Sequence, residues 1–425
     1  MSMGGTQNQL KLERNIRFYP WYAVGFNAFA WMPMFFLYFS EHLPLEDVLC
    51  LEAIYYAAVV LLEVPSGYFS DAVGRRLTLI ISSASLATAY VLFVLEQSFA
   101  TFALAQVFLA VGISFNSGTD TSFHYDSLAS LGRESEFAAR EATVVRFGLL
   151  SSGVAALVGG CAALADLYLA YVVSTVAALL TLLLVLNLFV EPKTHQQATG
   201  LGHGFFRQVG LCMGYLRNRS LAWLFGFAVL MTVLNHVPYE FYQPYIELSL
   251  KKHSLLPRTT PLVAGIHMAL AMVLGSYAAG LSIRLQQRCG TTITLLLTAV
   301  IQTMVIGMMG LVMHAWIIPL ILLRVVPRAL MTAPLNAAVA PQVQQAHRAT
   351  YLSIQSLIGR LSYAGVLLAL SLLVAGGVTG DPDELAWPSL SRMLQVCLAL
   401  AGLGLLLLGV IARWCGPPVK RSLSP

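Results

Sequence analysis

Apolar runs long enough to cross a bilayer, each closed by a short polar turn, follow one another along almost the whole chain. A helix needs roughly 20 predominantly apolar residues to traverse a hydrocarbon core about 30 Å thick. On that measure the pattern predicts twelve spans, over residues 18–40, 47–69, 77–95, 99–125, 142–164, 167–190, 220–248, 261–283, 292–313, 316–340, 350–376 and 389–412. Several turns are minimal: "QSFA" joins spans 3 and 4, and "HAW" joins spans 9 and 10. The longest connection, residues 191–219, separates six spans (1–190) from six more (220–425). The expected fold class is therefore all-α: a membrane protein of twelve transmembrane helices in two six-helix halves, with no room for a large soluble domain. The first apolar run exceeds the ~7–15 residues of a signal-peptide core and no small-residue cleavage site closes it, so it reads as a retained span.

Composition agrees with that solvent. Of 425 residues, 57% are hydrophobic and 11% charged, with mean hydropathy +0.73, whereas ordinary soluble domains carry about 25% charged residues. Charge then sets orientation. Seventeen Lys and Arg fall on the side that holds both termini, against Lys251, Lys252, Arg258 and Arg392 on the other. Positive residues concentrate on the cytoplasmic face, so both termini are expected there. The net charge of +5 then reflects topology and implies no nucleic-acid partner. Six cysteines are scattered without a CxxC or a metal-ligand spacing, and no GxxxxGK[ST] element is present to hold ATP phosphates. No cofactor and no metal are expected, and any work must draw on a gradient or a partner. In the 191–219 linker, Phe205, Phe206, Val209, Cys212, Met213 and Leu216 recur at helical spacing, which predicts an amphipathic helix along the membrane surface. Tyr19, Trp21, Tyr22, Trp223 and Trp316 read as interfacial anchors.

Ionisable groups inside hydrocarbon are costly and turn toward the bundle interior or a water-filled cavity. Here they are distributed selectively. Spans 3, 6, 9 and 12 have none in their apolar interiors, which predicts that these helices face lipid. The deeper groups lie on span 2 (Glu52, Glu63), 4 (Asp120, His124, Asp126), 5 (Arg146), 7 (His236, Glu240), 8 (His267), 10 (Arg324, Arg328) and 11 (Arg360). Asn116, Asp120 and His124 recur every four residues on span 4, as do Arg324, Arg328, Thr332 and Asn336 on span 10, so each set shares a helix face. Span 7 reads "LNHVPYEFYQPYIEL"; Pro238 and Pro244 predict a broken helix, with His236, Tyr239, Glu240, Tyr242 and Gln243 crowding the break. The candidates for substrate binding are Asn27, Asn116, Tyr239, Tyr242, Gln243, Arg324, Arg328, Asn336 and Arg360. Those for proton coupling are Asp120, Glu240, His124 and His236, because burial raises a carboxylate pKa and histidine titrates near neutrality. Arg324, Arg328 and Arg360 would either attract an anionic solute or form an ion-pair network with Glu240. Glu52 reads as a span-end residue, Arg146 as a side chain able to snorkel, and His267 as a packing histidine.

The turn between spans 2 and 3, "EVPSGYFSDAVGRR", contains Gly67-x3-Asp71-x2-Gly74-Arg75-Arg76. At that loop of a twelve-span chain it resembles the GxxxDxxGR[RK] signature of the major facilitator superfamily. "EVPSGYFSD" and "SGTDTSFHYDSLASLGRESEF" are further similar to a bacterial efflux-type subgroup. Departures are Ala72, where Arg is common, the loop "GLSIRLQQRCG" without its aspartate, and the lack of a Gly–Pro pair on span 5 or a mid-span arginine on span 4. The resemblance implies two pseudo-symmetric halves and a conformational latch made by Gly67, Asp71, Gly74, Arg75, Arg76 and Asp126. In it Asp71 lies at the start of span 11 near Arg348 and Thr350, and Arg75 or Arg76 pairs with Asp126. The function implied is a secondary active transporter working by alternating access: proton-coupled export of a small anionic or zwitterionic metabolite, a siderophore-like compound or a drug. Uptake of an organic anion is the alternative direction; a non-transporting sensor or scaffold is the alternative class. The partners implied are a small-molecule solute, protons and the lipid bilayer, for a monomer in the plasma membrane, here a bacterial inner membrane. No HExxH or GxSxG element points to an enzyme.

Overall fold

A computed structural model describes residues 3–43, 45–192, 204–251, 260–312, 314, 316–375 and 382–416. These form α1 (Met3–Phe26), α2 (Phe35–His42), α3 (Leu45–Val73), α4 (Arg75–Leu95), α5 (Phe99–Asn116), α6 (Thr119–Ala129), α7 (Phe137–Ala162) and α8 (Tyr168–Leu188). They continue with α9 (Phe205–Gly214), α10 (Arg219–Lys251), α11 (Thr260–Cys289), α12 (Thr291–Leu311), α13 (Ile317–Ile321), α14 (Val326–Val339), α15 (Arg348–Ala375) and α16 (Pro382–Cys415). Among the described residues there is no strand, and eleven helical stretches are long and apolar enough to cross a membrane. The chain is thus an all-α, multi-pass integral membrane protein, close to the expected count of twelve. Lys193, Lys252, Arg258, Lys420 and Arg421, used above for orientation, and the Gln243 side chain lie outside the described residues.

Three predicted spans differ from a simple helix, each for a local reason. The first, 18–40, is not continuous: α1 ends at Phe26, the chain turns through 27–34, and α2 follows. Serines of two neighbouring helices satisfy the backbone groups this break releases. Ser151 Oγ donates to the Val24 carbonyl (2.6 Å), Ser152 Oγ to Asn27 O (2.8 Å), and Ser174 Oγ accepts from Ala30 N (2.9 Å). In a membrane such substitution is what makes a break tolerable. Span 4 is divided into α5 and α6 at Gly118, whose φ of +72° is left-handed and suits glycine. Fully buried Glu63 accepts from Ser117 Oγ (2.6 Å) at this break. The awkward charge of span 2 therefore meets the irregularity of span 4.

The prolines of span 7 do not break it. Residues Arg219–Lys251 are one helix, α10. Pro238 has no N–H for the Leu234 carbonyl, and buried Gln302 of α12 supplies one instead, donating from Nε2 at 3.2 Å. The irregularity falls on span 10, where α13 passes through a 3-10 turn (Leu322–Val325) into α14. There Pro327 leaves the Leu323 carbonyl without its usual donor, and Val326 N–H takes it in the tighter i+3 geometry.

The chain divides into two compact units. The first comprises Met1–Tyr215, Thr259–Ser276 and Ala340–Ile354; the second comprises Leu216–Arg258, Tyr277–Val339 and Gln355–Pro425. In the first, Tyr38, Phe39, Phe93, Phe102 and Tyr171 make an aromatic core, with the Tyr38 hydroxyl donating to the Phe93 carbonyl (2.6 Å). In the second, α12 packs on α14 and α16. Absence of charge is a poor guide to lipid exposure. The most apolar windows of α4 and α12 (spans 3 and 9) are each 56% buried, against 33% for α8 and 17% for α16. Small side chains such as Ser82, Ser83, Ala87 and Thr298 let the first two sink into helix contacts. Of the expected interfacial anchors, Trp21 and Trp316 are exposed, whereas Tyr19, Tyr22 and Trp223 are buried.

Candidate functional site

Two polar clusters form in the first unit and one in the second. The first lies where α3 meets the start of α15. A Cβ at Gly67 would stand 2.5 Å from Ser353 Oγ and 2.9 Å from the Ala349 carbonyl oxygen, so only a bare backbone allows this approach. One turn on, the Asp71 carboxylate caps α15: Oδ1 accepts from Ala349 N (3.2 Å), and Oδ2 from Thr350 N (2.9 Å) and Thr350 Oγ1 (2.6 Å). These amides belong to the helix's first turn, whose N–H groups have no partner within the helix and favour negative charge. Arg75 Nη1 adds a donor at 2.5 Å. Buried Arg75 also donates from Nε to Asp126 Oδ2 (3.3 Å) and from Nη2 to Gln345 O (2.7 Å). Arg348 pairs with the other oxygen of Asp126, stacks its guanidinium 4.3 Å above the Tyr125 ring, and donates to the carbonyls of Ala340 and Val343. Two carboxylates and two guanidiniums thus neutralise each other in a buried, fully hydrogen-bonded network.

Arg76 takes a different place. Its Nη2 donates to the Leu186 carbonyl (2.8 Å), while its amide and that of Arg75 donate to Glu191 (both 2.8 Å). Glu191 is therefore the N-terminal cap of α4, and Gly74 supplies the φ of +133° that turns the chain into it. The linker helix α9 also reaches this cluster. Gln208 Nε2 faces Thr350 Oγ1 (2.8 Å), Asp71 Oδ2 (3.1 Å) and Ala346 O (3.1 Å). Cys212 is buried against His347 O, and Tyr215 OH meets His347 Nδ1 at 3.0 Å. Burial, and then the Asp71 charge, push the Cys212 thiol up to about 12. Phe206 stays exposed, so α9 has a polar docking edge as well as an apolar face.

The second cluster joins α1, α5, α6 and α7. The Tyr22 hydroxyl donates to Asn116 Oδ1 (2.5 Å), and Asn116 Nδ2 donates to Asp120 Oδ2 (3.2 Å). Asp120, in the first turn of α6, also accepts from Thr121 N (2.6 Å). A turn further, buried His124 stacks on Tyr19 (4.3 Å between ring centroids), and its Nδ1 meets Glu141 Oε2 at 2.8 Å. Asn27 does not reach this cluster; its amide is held by the Ala23 carbonyl (2.8 Å).

In the second unit, the Arg324 guanidinium lies 4.1 Å above the Tyr242 ring. His236 binds the Thr232 carbonyl through Nδ1 (2.6 Å), meets the Tyr363 ring at a tilt (5.0 Å between centroids), and is within electrostatic range of Arg328 and Arg360. Arg328 is in turn within range of Arg360 and of Tyr239. Arg328, Tyr239 and Glu240 are exposed on the protein surface of this unit, and Glu240 makes no ion pair with the three arginines among the described residues. Asn336 continues the Arg328 face of α14 by sequence spacing. No group of His, Cys, Asp and Glu among the described residues could hold a metal.

Glu141, Glu191, Gln208 and Gln302 escaped the sequence reading. Glu141 falls one residue before the predicted start of span 5, and nothing local links it to His124. Gln302 had a signal, since the carbonyl freed by Pro238 requires a donor from a neighbouring span.

No curated protein matches the chain by sequence. Among solved structures, the human organic anion transporter MFSD10 (TETRAN) superposes with TM-score 0.67 at 15% identity, covering 93% of this chain and 99% of the other. The Escherichia coli fucose:proton symporter FucP gives 0.65 at 14%, covering 94% and 98%. A bacterial homologue of the iron transporter ferroportin, in its outward-facing state, gives 0.63 at 18%, covering 96% and 100%. At these identities the likeness shows the fold alone. The family profile reaches further, matching residues 22–366, and on that match the chain belongs to the Major Facilitator Superfamily.

Proposed function

We propose that the chain is a proton-coupled secondary transporter of small organic anions or zwitterions that alternates access between its six-span halves, 1–190 and 220–425. The observation that carries this reading is the second unit's cluster of Arg324, Arg328 and Arg360 with His236, Tyr239 and Tyr242. Positive groups gathered on membrane-spanning helices are costly and mark solute or ion pathways, and their sign suits an anionic group. The organic anion transporter among the structural neighbours and the fucose:proton symporter support the solute and coupling classes. Tyr239, Tyr242, Gln243, Asn336 and the arginines of the second unit would bind solute, and Asn27 and Asn116 are the candidates from the first unit. Asp120, His124, His236 and Glu240 are the candidates for the proton. The Asp71–Arg75–Asp126–Arg348 network, approached closely at Gly67, is the latch of the cycle. Its ion pairs bias the equilibrium only by differing between states.

With the efflux-type sequence resemblance, the reading is export across a bacterial inner membrane by a monomer with both termini in the cytoplasm. The experiment is flux of radiolabelled benzoate and succinate in proteoliposomes under imposed proton gradients. Gradient-dependent movement that falls at least tenfold (about 1.4 kcal/mol) in R328A and R360A is expected. The anion reading fails if neither compound moves, or if both variants carry it as the wild type does. Movement against the expected direction of the gradient would identify uptake.

A further inference from the structure

Within the transport reading, on which this inference rests, we propose that the coupling proton is held by the His124–Glu141 pair. The sequence offers His124 only as one candidate among four, and Glu141 as none. In the structure both are buried at 1% and 3% exposure, and Nδ1 and Oε2 stand 2.8 Å apart, a distance that requires one proton between them. That proton leaves Nε2 as the site of a second. With it the pair is an imidazolium facing a carboxylate and is neutral overall; without it the pair carries one negative charge. The step is a bare protonation, in which H⁺ leaves water on one side, adds to Nε2, and departs to water on the other, with no other bond changed.

Its surroundings make that single charge consequential. The titratable and charged groups around α6 are Tyr19 and Tyr22 from α1, Arg75 from α4, Glu134 before α7, Glu141 from α7 and Arg348 from α15. Asp120, Tyr125 and Asp126 lie on α6 itself. Asp120 is within electrostatic range of Glu141, so a second carboxylate adds to the negative field on the Glu141 side of the pair. Arg75 and Arg348 are engaged by Asp126. That residue is two positions from His124 on a helix of 11 residues, set apart from α5 by the left-handed Gly118. The same short helix therefore carries the proton site and the carboxylate clasped by the latch. Loading one biases the other through a rigid element, which is how a proton can couple to a conformational equilibrium.

The test uses the purified full chain and follows deuterium exchange at the imidazole C2 position, histidine by histidine. The His124 exchange rate is expected to change with pH in the wild type. In E141Q the His124 profile is expected to differ from that of the wild type, because the carboxylate facing Nδ1 is gone; unchanged profiles at His236 and His347 report intact folding. In proteoliposomes, H124Q and E141Q are each expected to lose gradient-driven accumulation of benzoate or succinate by roughly tenfold or more. A flat His124 profile in the wild type overturns the proton site whatever the flux data show. Titration of His124 with undiminished accumulation in both variants overturns its coupling role. A wild type that moves neither anion refutes the transport reading, and the coupling with it, while the His124 profile still decides whether the pair takes up a proton.

Discussion

Replacing Asp71 with asparagine removes the charge from a carboxylate on which five donors converge: Arg75 Nη1, Gln208 Nε2, Ala349 N, Thr350 N and Thr350 Oγ1. The side chain is 1% exposed, so water cannot take over. An amide keeps one acceptor oxygen and presents an NH2 group to the remaining donors, leaving at least two of them opposed. Removing one partner of a buried, hydrogen-bonded ion pair costs about 3–5 kcal/mol. At tenfold per 1.4 kcal/mol, that shifts local opening of the α3–α15 contact roughly a hundred- to several-thousand-fold. Amide hydrogen exchange reads this directly, because the Ala349 and Thr350 N–H groups are in the first turn of α15 and owe their protection to Asp71. In D71N their exchange should accelerate by that factor, with a smaller gain in α9 as Gln208 loses an acceptor. The α12 amides, in the other unit, should not change. Protection at Ala349 and Thr350 within about threefold of wild type would refute the reasoning, since the proposed energy exceeds that by far.

Other consequences can be checked on the same preparation. Gly74→Ala forces a side chain into a backbone region open essentially to glycine and puts its Cβ 3.1 Å from the Glu191 carboxylate. Thermal melting should fall by the equivalent of about 1–3 kcal/mol. Gln302→Leu strands the Leu234 carbonyl at a cost of about 1–3 kcal/mol, and the loss should largely vanish in a Pro238→Ala background, where residue 238 regains its own N–H. A double-mutant cycle with no coupling contradicts the proline account. Arg324→Lys gives up the planar stacking on Tyr242, about 0.5–2 kcal/mol. Benzoate or succinate affinity should weaken roughly two- to thirtyfold, read by equilibrium binding. With its thiol pushed up to about 12 by burial and then by Asp71, Cys212 should resist maleimide at neutral pH while exposed Cys50 and Cys161 react. Labelling of Cys212 gains only as pH rises toward that value, where the thiolate begins to form.

Periodicity and motif spacing make the helical class, the number of spans to within one, and the chemistry of the 67–76 turn legible without coordinates. They fail where a residue's partner is distant in sequence. Pro238 looks like a helix break because its own span offers no replacement donor; Gln302, 64 positions later, supplies it. Arg324 looks like a regular helical position because the i+3 bond at Leu323 has no signature beyond Pro327. The every-four spacing of Asn116, Asp120 and His124 suggests one uninterrupted face. Gly118 breaks the helix there, yet Asn116 and Asp120 still meet across the break, and His124 turns to a glutamate that sequence spacing leaves at a span boundary. Tyr19 and Tyr22 resemble interfacial anchors by composition; instead Tyr19 is a ring partner of buried His124, and Tyr22 donates to buried Asn116.

The glycine at position 67 has a use beyond the contact it permits. Its missing Cβ leaves room for Ser353 Oγ and the Ala349 carbonyl to come so near. Adding that one carbon leaves every polar residue of the Asp71 network in place and denies the chain only the arrangement in which α3 and α15 touch. Gly67→Ala is therefore a chemical filter on conformations: a preparation carrying it holds states lacking this approach, ready for trapping and structure determination without a ligand, an antibody or a cross-link.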